Sequence, residues 1–115
     1  MTDVRVADTL THMRDAAALA QSYVEGMTQP AFAVDTRTQQ AVIMNLVIIG
    51  ELATKMIKDH SGFIAQHPNI PWASMKGMRN RIAHGYFEIN LDVVWDTVKT
   101  ALPQLRQQLT DVLKG

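Results

Sequence analysis

The sequence predicts an all-α fold: an antiparallel bundle of four main helices with short helical turns between them, in one domain spanning residues 1–115. Three observations carry this prediction. Apolar residues recur at spacings of three and four over residues 6–27 and again over 94–112. The most apolar stretch keeps helical spacing well past the roughly 4–8 residues of a strand. Gly, Pro, Asp and Asn cluster between these segments as stops and caps.

In the first helix Val6, Leu10, Met13, Ala17, Ala20, Val24 and Met27 form one stripe, with Thr2 as its cap. The stretch "GMTQPAFAVDT" breaks the pattern at Gly26 and Pro30, and Thr36 or Asp35 can cap the second helix. That helix, "TQQAVIMNLVIIGELATKMIKDH", contains β-branched residues that suggest a strand. Leu46, Ile49, Ala53, Met56 and Ile57 nevertheless hold helical spacing past Gly50. Val42 to Ile49 is apolar on more than one side, so the helix is expected to pack on its own bundle and on a second copy, as a homodimer.

"SGFIAQHPNIPW" reads as a linker with a helical turn, and Pro71 suits the first position of a third helix running to about Ala83. Gly85 is the expected left-handed stop. Gly77, inside that helix, implies a close backbone approach at the dimer cleft. Asn90 caps a last helix whose stripe is Val94, Val98, Ala101, Leu105, Leu109 and Val112, with a bend at Pro103.

Composition narrows the function. Lys plus Arg equal Asp plus Glu at 11 each, so bulk charge does not draw the protein to nucleic acid or anionic membrane, and any attraction is local. With no cysteine, disulfides, thiolate metal sites and cysteine nucleophiles are excluded. No signal-peptide pattern opens the chain, and no stretch approaches about 18 consecutive apolar residues. A cytoplasmic protein without membrane association is expected.

The local exception is "MRNRIAHGYF", residues 78–87. Between Asp59 and Glu88 there is no acidic residue, while Lys76, Arg79, Arg81, His60, His67 and His84 lie in that window. Trp72, Trp95, Tyr86 and Phe87 add aromatic surface on which a base can stack, the tryptophans reading first as core anchors. At about 100° per residue, Asn80 shares the His84 face, whereas Arg79 diverges from His84 by roughly 140°. The pair converges only if the helix ends at His84 or if a second copy of the motif faces the first.

Such a set suits metal-free RNA cleavage, with no cofactor. Arg79 would hold the non-bridging phosphate oxygens, and His84 would activate the 2′-hydroxyl or protonate the 5′-oxygen, leaving 2′,3′-cyclic phosphate ends. One imidazole cannot do both at once, and two His84 copies in one cleft remove that difficulty. Asn80 and Arg81, near the His84 face, are candidates to orient the imidazole or bind RNA, and both also read as surface residues. Glu51 either pairs with Lys55 four residues on or orients Arg79 across the bundle. His12, His60 and His67 lack partners at metal-ligand spacing, and no metal site is expected.

The segment "PNIPWASMKGMRNRIAHGYFEINLDVVWDTV" resembles the signature region of the HEPN superfamily, specifically its HepT-like toxins. The shared pattern is Arg, four residues, His, any residue, Tyr, met here by Arg79, His84 and Tyr86, with "IIGELATK" and the helical layout matching upstream. The resemblance implies a helical homodimer whose two motifs line one cleft, with metal-independent endoribonuclease activity. It also implies a type VII-like toxin–antitoxin pair, in which a minimal nucleotidyltransferase antitoxin neutralises the toxin by transferring AMP to Tyr86. Two other functions compete: a non-catalytic nucleotide-binding or docking subunit of a nucleotidyltransferase complex, and a plain helical interaction module.

Overall fold

The computed structural model describes residues 3–115, and every element among them is helical. Helix α1 (Val4–Tyr23) is followed by a short α2 (Gln29–Ala33), the long α3 (Thr36–Asp59), a short α4 (Ser61–Gln66) and α5 (Trp72–His84). After a 3-10 turn (Tyr86–Glu88), α6 (Leu91–Asp96) runs through a π turn (Thr97–Ala101) into α7 (Leu102–Lys114). The last three segments form one interrupted helix, so four main helices result. Helix α3 is central, with α1 on one side and α5 on the other, and α7 packs on α1.

Helix ends follow side-chain chemistry. Thr2 lies outside the described residues; the observed cap of α1 is Asp3, whose Oδ1 accepts the Arg5 N–H at 2.7 Å. Asp35 caps α3 twice over, its Oδ1 accepting the Thr38 N–H at 3.1 Å and its Oδ2 the Thr38 hydroxyl at 2.7 Å. Asn90 Oδ1 accepts the N–H groups of Asp92 and Val93 at 2.9 and 3.3 Å, and so starts α6. In the segment read as a break, Thr28 caps α2 and Pro30 sits in its first turn, where a missing N–H leaves nothing unpaired. Gln29 Nε2 then donates to Asp92 Oδ1 at 2.9 Å, tying α2 to α6.

The core is apolar apart from Asn45, whose amide donates to the Ala41 carbonyl at 3.0 Å, and Leu10, Met13, Phe32, Met56 and Leu109 are among its fully buried side chains. Four expectations are corrected. Pro71 is the residue before α5 rather than its first, and its carbonyl accepts the Met75 N–H at 3.1 Å. Gly85 stops α5 at φ −150°, outside the left-handed region; that region is occupied by Gly26 after α1, at φ 77°. In the last helix Leu102, not Ala101, continues the buried stripe. The π turn causes this: Pro103 cannot donate and crowds the carbonyl four residues back, and the Leu102 N–H bonds instead to Thr97, which adds a residue to the turn. Finally, α3 is long and apolar enough by composition to cross a membrane, with an 18-residue window of mean hydropathy 1.4. One face of it serves the core, with Val42, Ile43, Leu46, Ile49, Ala53 and Met56 buried among the bundle's helices, while Met44 and Ile48 are exposed.

The contact between α3 and α5 is set by Gly50. A Cβ there would overlap the Cβ of Arg79 and lie 2.8 Å from the Met75 carbonyl oxygen. Within one protomer the close backbone approach is at Gly50, and over Gly77 only the Arg81 guanidinium lies, with Nη1 3.4 Å from a Cβ built at that glycine.

Two predictions result. Gly50→Ala forces the helices apart and is expected to lower stability by about 1–3 kcal/mol, read as a lower urea midpoint, whereas Gly62→Ala, with nothing within 4 Å, does not. Asp35 is held below its ordinary value of 3.8, first by the Thr38 hydroxyl and then by the Thr38 N–H. A group with a depressed folded pKa contributes stability that is complete above its unfolded pKa and is lost as pH falls through its folded one. The Tm difference between parent and Asp35→Ala is expected to be full at neutral pH and to shrink below pH 3.8; a difference constant into acid contradicts this cap.

Candidate functional site

Helix α5 carries most of the motif and is anchored at both ends. At its start Trp72 is 4% exposed, and its indole Nε1 donates to the His67 carbonyl at 3.0 Å. Near its end Ile82 is buried against the core. Between these anchors Gly50 lets α5 approach until Arg79 lies on α3.

Arg79 is held there by two α3 side chains. Its Nη2 donates to Thr54 Oγ1 at 3.2 Å, and that hydroxyl donates onward to the Gly50 carbonyl at 2.8 Å. Its Nε stands 3.0 Å from Glu51 Oε1, an ion pair, but the N–H is not aligned with the oxygen, so this buried donor makes no hydrogen bond. Charge, not hydrogen-bond geometry, links the two. The Arg79 side chain is 24% exposed, enough to leave part of its fork open.

His84 faces elsewhere. It is exposed on the last turn of α5 and lines a groove of about 450 Å³ with Met78, Arg81, Gly85, Glu88 and Asn90 among others. Arg79 is not in that lining, as the divergence of about 140° across five helical positions requires. The helix ends at His84, yet the arginine that shares its groove is Arg81. Among the described residues neither Arg81 nor His84 forms an ion pair, although Glu88 lies in the same groove. Asn80 is half-buried and lies outside that lining. Tyr86 opens the 3-10 turn, 42% exposed, with Phe87 edge-on at 5.7 Å.

The structure thus brings Glu51 to Arg79, and Arg81 to His84, and leaves these two pairs on different faces of a protomer. Sequence reasoning did not find Thr54 or Gly50. The available signal was the helical spacing itself: Gly50 and Thr54 are four apart on α3, one turn, flanking Glu51. A larger groove of about 770 Å³ lies at the other end of the bundle, with Asp3, His60, His67 and Asp111 in its lining. No Lys or Arg lines it, and His67 there is engaged, with Nδ1 3.1 Å from the Phe63 carbonyl and its ring stacked on Phe63. Among the described residues no three of His, Asp and Glu gather in a way that could hold a metal.

Comparison with known proteins bears on this geometry. The profile of the family described as "Ribonuclease HepT-like" matches residues 13–112, which include both Glu51 and the whole motif. The chain is 35% identical over 107 residues to "Probable ribonuclease HepT" of Thermococcus cleftensis, covering 93% of this chain and 94% of that protein. It is 33% identical over 114 residues to "Putative RNase MJ0127" of Methanocaldococcus jannaschii, covering 97% and 88% respectively. No solved structure gives a significant match. With the family profile spanning most of the chain and such relatives covered almost end to end, the protein belongs to the HepT-like ribonuclease family of the HEPN superfamily.

Proposed function

We propose that the protein is an endoribonuclease that cleaves RNA without a metal ion, in a cleft built from two copies of the chain. The observation that carries this reading is an arginine immobilised on α3, five residues before an exposed imidazole at the end of α5. A guanidinium already fixed by Thr54 and Glu51 loses little freedom when it takes a phosphate, which suits it to offset charge on a pentacovalent transition state. The relatives named as ribonucleases support RNA cleavage as the activity.

The reaction divides among these groups. The 2′-oxygen attacks the adjacent phosphorus as one His84 takes its proton, and the bond to the 5′-oxygen breaks as the second His84 supplies a proton to it. The products end in 2′,3′-cyclic phosphate and 5′-hydroxyl. Because Arg79 and His84 lie on different faces of a protomer, facing copies of α5 supply both groups to one phosphate. The exposed Met44 and Ile48 on α3, beside Glu51 in the helical register, extend the apolar surface available to a second copy.

In this reading the protein is the toxin of a toxin–antitoxin pair in the cytoplasm, restrained by a minimal nucleotidyltransferase. The Tyr86 oxygen attacks the α-phosphorus of ATP and pyrophosphate leaves. The attached phosphate then places negative charge two residues from His84, where it occupies the cations and obstructs an RNA backbone. A nucleotide-binding subunit without cleavage is the second reading. It is favoured by the groove of a single protomer, where Arg81 and His84 offer phosphate ligands without a second imidazole.

Purified protein in EDTA is expected to cut labelled RNA to cyclic-phosphate ends, and folded His84→Ala to be slower by at least about 10²-fold. Nucleotide binding with no cleavage by protein free of AMP selects the second reading. Incubation with the partner nucleotidyltransferase and ATP is expected to add AMP to the parent and none to Tyr86→Phe, read by intact mass. AMP on the Phe variant would place the acceptor elsewhere.

A further inference from the structure

The four aromatic residues near the motif differ sharply in what they leave free. Trp72 is buried, its indole N–H bonded to His67 and Phe63 against it edge-on at 6.3 Å. Trp95 packs on Phe32 at 5.4 Å, and Lys99 lies 5.4 Å from its ring centre. Tyr86 is partly covered, whereas Phe87 is 99% exposed, an apolar ring standing in water three residues after His84. Tyr86 meets it at an interplanar angle of 86°, so no neighbouring ring stacks flat on it.

We propose that Phe87 is a stacking platform for the unpaired nucleobase beside the phosphate that is cut. This rests on the ribonuclease reading and adds the residue that holds the base. The ligand that covers Phe87 has to satisfy its surroundings as well as the ring. Arg81 and His84, unpaired by acids among the described residues, lie six and three residues before it. An apolar pocket on a protein would cover the ring and leave those two cations with Glu88 as the one acid in their groove. A nucleotide offers both parts at once, a π-face for the ring and a phosphodiester for the cations. A base paired and stacked inside a duplex does not offer its face, which is the origin of the expected selectivity.

The test uses a single-stranded 2′-O-methyl RNA oligonucleotide carrying 2-aminopurine, which binds and cannot be cleaved. The parent is expected to quench the fluorophore on binding, Phe87→Trp to keep both affinity and quenching, and Phe87→Ala and Phe87→Leu to bind roughly 10-fold more weakly. Leucine retains an apolar side chain without a π-face, so its weakness separates stacking from simple burial. With cleavable RNA, Phe87→Ala is expected to raise KM more than it lowers kcat, and a duplex is expected to bind as poorly to the parent as single strands do to the Ala variant. Equal binding by parent, Leu and Ala variants overturns the inference, as does a weakness in Phe87→Ala that coincides with loss of dimer mass in light scattering, which would assign the ring to the contact between copies. Phe87-dependent quenching by a parent that cuts no RNA would sink the ribonuclease reading alone. Cleavage with an unchanged KM in Phe87→Ala would sink the stacking platform alone.

Discussion

The close approach of α5 to α3 at Gly50 is the constraint on which the site depends. With no side chain at that position, the Met75 carbonyl and the Arg79 Cβ occupy the space a Cβ would take. This brings the Arg79 guanidinium within reach of Thr54 and Glu51, one turn of α3. A glycine inside a helix costs about 1 kcal/mol relative to alanine, and the burial of an arginine stem with an unaligned Nε adds to that cost. An apolar residue at 79 would pack on Gly50 without the second of these costs. Keeping a cation there, tethered and only 24% exposed, is an arrangement suited to an anion that arrives later.

The same helix that fixes Arg79 prevents it from meeting His84. Five residues of regular helix turn the two apart, and α5 remains helical through His84. Its groove is completed by Arg81, the 3-10 turn and the start of α6 instead. In the proposed reading one protomer thus offers two half-sites, a tethered guanidinium on the α3 side and an exposed imidazole on the α6 side. In the proposed dimer each half-site is completed by the other copy, which also supplies the second imidazole that concerted acid and base catalysis requires.

Much of the fold was legible in the sequence because it rests on local rules. The stripes of α1 and α3 are buried as their periodicity indicates except at Met27, which lies beyond the end of α1, and at Ile57, both half-buried, and Asp35 and Asn90 cap the helices that follow them. The glycines were harder, because their roles are set by what lies across from them in space. Gly77 and Gly50 are both helical glycines near the motif, and only the tertiary contact shows that the second is the crossing point. Gly85 follows a helix as a left-handed stop would, yet the left-handed conformation falls to Gly26. Pro103 indicated a disturbance but not its form, and the π turn moved the buried position from Ala101 to Leu102. In the motif, the divergence of Arg79 from His84 followed from helical geometry alone. Thr54 did not emerge, since a threonine facing a neighbouring helix has no distinguishing pattern in one sequence.

The central claim is that one active cleft needs His84 from two copies of the chain. The most direct test mixes parent and His84→Ala subunits at known ratios, lets them exchange, and measures RNA cleavage against the fraction of parent. If every active cleft needs both imidazoles, activity follows the square of that fraction, and an equal mixture keeps about a quarter of the parental rate. A linear dependence, with about half remaining, would mean that one imidazole suffices for each active cleft and would contradict the account.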